Sequence, residues 1–127
     1  METIELEFQG YTWDEYFYVI SNKSGILVTY RGELDSEGAV KLDEIVHVDE
    51  ADEFGTLYES KQFAEIRKNV GNKGRLFFSY AEMKNGGRAE VTNLLKHALI
   101  PNHYFEKEYP QINYTIKGAC ALFPQTI

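Results

Sequence analysis

One stretch, Arg75 to Asn102, constrains this chain more than any other. It opens with an apolar run, Leu76 to Ala81, of the kind a buried strand shows. Asn85-Gly86-Gly87 then turns the chain. Beyond the turn, Val91, Leu94, Leu95, Ala98 and Leu99 recur at i, i+3, i+4, i+7 and i+8, which is one face of an α-helix. Pro101 stops that helix. Glu90 lies in its first turn, beside the apolar face, and Asn93 and His97 continue down the same flank. A core strand feeding a core helix with one carboxylate at its mouth is a candidate site. A solvated glutamate, favoured there by the helix macrodipole, is the plainer alternative.

The totals narrow the class. A chain of 127 residues suits one domain, 1–127, with a real core. The net charge of −7 argues against indiscriminate binding to nucleic acid but leaves room for a local basic groove. Cys120 is the only cysteine, which excludes an internal disulfide and a zinc site of several thiolates. The opening METIELEFQG carries early acids and no apolar centre, unlike a secretory signal. No apolar run approaches the roughly 20 residues of a membrane span. The expectation is a cytoplasmic protein with no membrane partner and no small-molecule cofactor.

Residues 1–10 alternate through Ile4, Leu6 and Phe8, as an edge strand or an extended arm does. Thr12-Trp13-Asp14-Glu15 has the capping-box pattern. Trp13, Tyr16, Phe17 and Ile20 follow at helical spacing, which predicts a short helix whose aromatic stripe packs in the core rather than serving as a base-stacking platform. After the turn at 21–25, Ile26 to Arg31 reads as a strand, with Ile26, Val28 and Tyr30 on one face and Leu27, Thr29 and Arg31 on the other. Val40, Leu42 and Ile45 to Val48 read as the return strand of an antiparallel hairpin. Leu57 to Val70 predicts one helix with Phe63, Ile66 and Val70 inward. Residues 102–111 look irregular, and 113–117 reads as a last strand.

Chemistry-bearing motifs are sparse. There is no glycine-rich phosphate loop and no paired histidine–glutamate zinc helix. His47, His97 and His103 are scattered, and their spacing does not support a metal site. Cys120 reads as a packed core thiol. The cations between Lys61 and Arg88 form either a modest basic patch or an evenly solvated surface. The acids Asp49, Glu50, Asp52 and Glu53 read as a solvated face. With the hairpin loop Glu33–Ala39 they could instead present an acidic surface to a basic protein partner.

Taken in order, the elements resemble the GIY-YIG nuclease domain. Gly25-Ile26-Leu27 stands at the GIY position and Val46-His47-Val48 at the YIG position. Arg67 stands for the family arginine, Leu76 to Tyr80 for the third strand, Arg88-Ala89-Glu90 for the start of the glutamate helix, and Pro101-Asn102 for its exit. Tyr11 to Tyr16 and Tyr114 to Gly118 are similar to flanks of bacterial members. The resemblance implies an α/β (α+β) fold with a small, mostly antiparallel three-stranded sheet flanked by helices. It also implies a site in which Glu90 holds a divalent metal, usually magnesium, and Arg67 steadies a phosphate. Lys68, Arg75, Arg88 and Asn102 would then contact nucleic acid.

Both signature triplets are damaged. Leu27 and Val46 replace the two tyrosines, and neither can accept a proton or make a side-chain hydrogen bond. Val48 replaces a glycine. A metal ligand without its proton-handling partners is a poor catalyst, because general acid–base help is worth roughly a hundredfold or more. The expectation is a nuclease-like domain without activity that binds nucleic acid or a protein. The alternatives are a working endonuclease that uses magnesium at Glu90, and the acidic adaptor.

Overall fold

The computed structural model describes residues 4–97, 105–110 and 113–119. Its centre is a six-stranded mixed sheet curled into a half-barrel, in the order β3-β2-β4-β1-β6-β5. The strands are β1 (Ile4–Trp13), β2 (Gly25–Leu34), β3 (Val40–Ala51), β4 (Arg75–Glu82), β5 (Phe105–Tyr109) and β6 (Tyr114–Gly118). All neighbours pair antiparallel except β1 and β6, which run parallel. A 3-10 helix (Asp14–Val19) follows β1. The helices α1 (Phe54–Tyr58) and α2 (Lys61–Val70) join β3 to β4, and α3 (Arg88–Lys96) follows β4.

The expected small three-stranded sheet is therefore wrong. Strands β3, β2 and β4 form an antiparallel block carrying the signature positions, but β1, β6 and β5 continue it. Residues 4–13 are an interior strand between β4 and β6, neither an edge nor an arm. The misreading has a physical cause. β1 buries Leu6 and Phe8 and exposes Glu5, Glu7 and Gln9, so it alternates as an edge strand does. Phe105–Tyr109 looked irregular because its sequence, FEKEY, is mostly charged, with exposed Glu106 and Glu108 beside buried Tyr109.

The central strands are covered on both faces. One face of β2 places Ile26, Val28 and Tyr30 in a core with Val91 and Leu95 of α3, joined by Leu6, Phe8 and Ile116 from the added strands. The other places Leu27 in a core with Phe63 and Val70 of α2, Phe54 of α1, and Phe17 and Ile20 from around the 3-10 helix. The alternation read in β2 holds. Ala98, Leu99 and Pro101 lie outside the described residues.

Two helical readings need correction. The segment 57–70 is broken at Ser60, whose hydroxyl accepts the Phe63 amide at 3.1 Å and so starts α2 as an N-cap. The helix expected behind Thr12 is a 3-10 turn with Trp13 at its N-cap and no side-chain cap, because Thr12 still belongs to β1. Phe17 and Ile20 are buried as expected, but Tyr16 is 51% exposed.

Candidate functional site

The signature positions do not share one face. Glycine at position 25 has a steric reason: a Cβ there would run into the Ala81 carbonyl of β4. Leu27 is buried in the core under α2, between Asp49 and Tyr80 in the sheet register. Val46 reaches the same core because β3 bulges. Thr29 and Tyr30 pair with His47 and Ile45, which leaves Val46 without a partner in the register. Val48 pairs with Val28 in the opposite core.

Arg67 lies on α2 and is already engaged. Its two terminal nitrogens donate to the Asp14 carboxylate at 2.9 and 3.1 Å, and the Tyr58 hydroxyl donates to the same carboxylate at 2.8 Å. The guanidinium also stacks over the Tyr58 ring, 4.0 Å from its centroid. Partial burial works against the cation. The Asp14 carboxylate more than offsets it, so Arg67 holds its proton more firmly than a free arginine. Burial, and then the hydrogen bond to Asp14, raise the Tyr58 phenol above its ordinary range.

Glu90 is in the first turn of α3 and exposed. Because α2 and α3 cover opposite cores, the sheet separates Glu90 from Arg67. The neighbour Glu90 does have is Tyr114. That phenol is raised by burial and then by the Glu90 charge. Its hydroxyl stands 2.6 Å from where a Cβ on Gly87 would be, so only glycine fits at this left-handed N-cap.

Arg88 is buried and serves as a clamp. Its Nε donates to Glu50 at 3.1 Å, and its terminal nitrogens donate to Asp52 at 3.0 Å and to the Met83 carbonyl at 3.2 Å. Two carboxylates of the acidic run are thereby neutralised. A third, Asp49, lies 3.3 Å from the His47 ring. In the hairpin loop the Asp35 carboxylate accepts the Glu37 and Ala39 amides at 2.8 and 2.9 Å, which shapes the turn. Lys68 and Arg75 are exposed, Arg75 at 3.8 Å from Glu15. Asn102, His103 and Cys120 lie outside the described residues. Among the described residues no three His, Cys, Asp or Glu side chains converge to hold a metal ion. No described helix is long and apolar enough to cross a membrane.

Sequence reasoning missed a trough along β3, the last strand of the sheet. Two hollows of about 440 and 420 Å3 share Ile45 and Val46. The first is also lined by Ile66 and Val70 of α2 and by Lys73, and the second by Gln62, Lys96 and His97. Only the apolar residue at the second signature tyrosine position hinted at it.

No protein-family model, curated protein or solved structure matches this chain.

Proposed function

We propose that the chain is a divergent relative of the GIY-YIG nuclease domain that has lost cleavage activity and works as a cytoplasmic binding module for a protein or nucleic acid. The order β2, β3, helices, β4 and α3 supports the kinship, now within a six-stranded sheet. The observation that carries the loss of activity is the engagement of Arg67 by Asp14 and Tyr58 on the face opposite Glu90. An arginine that steadies a scissile phosphate has to share a cleft with the metal ligand. The first helix after β3, α1, offers no alternative, since its sequence FGTLY has no arginine. Glu90 could hold a magnesium ion through water, but Leu27 and Val46 supply no proton acceptor.

The test is cleavage of plasmid and single-stranded DNA with magnesium or manganese, beside Glu90→Ala. The expected result is no cleavage by either protein. Cleavage by the wild type that disappears in Glu90→Ala overturns the reading and makes the chain a metal-dependent endonuclease.

A further inference from the structure

We infer that the trough along β3 is a docking groove for a short, extended peptide segment that is acidic and apolar by turns. This deepens the reading of the chain as a binding module and rests on it. The groove lies where the outermost strand runs between two helices on opposite faces of the sheet. Its floor is apolar: Ile45 and Val46 from β3, Ile66 and Val70 from α2.

The bulge matters to the mode of binding. In a regular strand, neighbouring residues point to opposite faces, and a partner strand adds along the whole edge. Here β3 shifts register twice against β2, next to Val46 and next to Asp43, and such kinks interrupt edge-to-edge pairing. Recognition therefore rests on side chains. An extended segment can set alternate apolar residues into the two adjoining hollows, which share Ile45 and Val46 at the bulge.

Charge chooses the partner. On a chain of net charge −7, the two hollows are lined by three cations, Arg31, Lys73 and Lys96, against one carboxylate, Glu44. Glu44 is taken by Arg31 at 3.0 Å. Lys73 and Lys96 make no ion pair among the described residues, and each lines a different one of the two hollows. The groove thus presents two free ammonium groups around an apolar floor. A basic segment would be repelled. A nucleic acid would find the lysines and could stack a base on His47 or His97, but it would leave the apolar floor of Ile45, Val46, Ile66 and Val70 without a partner, whereas a peptide fills it.

The test is selection of a random peptide library displayed on phage against the full chain, against Lys73→Glu/Lys96→Glu, and against Ile66→Glu. Circular dichroism melts establish that each variant is folded. The expected result is enrichment of sequences alternating Asp or Glu with Val, Ile or Leu. Binding of an enriched synthetic peptide should weaken roughly tenfold in the double lysine variant, and its binding to the unmodified chain should weaken as salt rises. The double variant keeps the test decisive if Ile66→Glu fails to fold, because both lysines are exposed. No enrichment, enrichment of basic sequences, or enrichment indifferent to the lysine changes overturns the inference. So does single-stranded DNA binding that the lysine changes abolish while no peptide is enriched, and so does self-association that they abolish. Cleavage activity is read separately. A chain that cuts DNA and still selects acidic peptides loses the inactive reading alone; one that neither cuts nor selects peptides loses the groove alone.

Discussion

Arg67 ties α2 to the 3-10 helix and Arg88 ties α3 to β3, one on each face of the sheet, at different depths. Arg67 closes the rim of an aromatic face, where the rings of Phe17, Phe63, Phe78 and Tyr58 cluster with centroids 4.1 to 6.3 Å apart. Its side chain is one-third exposed and shares a single carboxylate with a tyrosine. Arg88 sits over a more aliphatic face, with its side chain 5% exposed and all its partners in the protein. An ion pair open to water loses little when broken, because solvent takes up the freed charge. One closed to water leaves an uncompensated charge behind. Of the three arginines that the sequence offered for phosphate or nucleic-acid contact, Arg67 and Arg88 thus both hold carboxylates of the chain, to unequal depths, while Arg75 stays exposed.

That contrast can be broken by measurement. The largest loss is expected from the aromatic face itself: Phe78→Ala should cost about 4 kcal/mol in urea denaturation and Leu95→Ala about 3 kcal/mol. Equal losses would mean that the faces pack alike. Next, Arg88→Met should cost about 3 kcal/mol, since Glu50, Asp52 and the Met83 carbonyl all lose a buried donor, whereas Arg67→Met, which frees only Asp14, should cost about 1 kcal/mol. A reversed order would show that depth is not what separates the two arginines.

A change of opposite sign sharpens the picture. The Thr29 hydroxyl is fully buried and has no hydrogen-bond partner among the described residues. Thr29→Val removes the unmet polar group at nearly constant volume and should raise stability by about 1 kcal/mol. A loss instead would reveal a hydrogen bond at this position.

The smallest expected effect is on pH. Tyr58 has a raised phenol, so its contribution is complete below the ordinary tyrosine value of about 10 and fades as pH rises through the higher folded value. The wild type should therefore lose part of its stability only in alkali, and Tyr58→Phe should lack that part of the alkaline slope. Urea midpoints taken from pH 8 upward check this; parallel slopes would count against the Asp14–Tyr58–Arg67 knot.

What the sequence revealed follows from how completely each element is buried. β2 and β4 are covered on both faces, so their apolar runs were plain, and the inward residues of α2 and α3 followed helical spacing. β1 and β5 carry charges on their open side, and this hid one as an edge and the other as a loop. The candidate site was less legible. Nothing local to Arg67 announces Asp14, 53 residues away, and nothing near Arg88 announces Glu50. Pairings of this kind arise from topology. A bulge such as that at Val46 leaves no mark in composition, and the trough it borders was equally hidden.

The parallel pairing of β1 with β6 has a consequence for the growing chain. Ile4 lies opposite Tyr114, 110 residues later. At a synthesis rate of roughly 5–20 residues per second, β1 waits on the order of 5–20 s before its second neighbour leaves the ribosome. Its charged alternate residues, Glu5 and Glu7, are suited to that interval. They keep a half-paired strand in water and discourage it from joining the wrong partner.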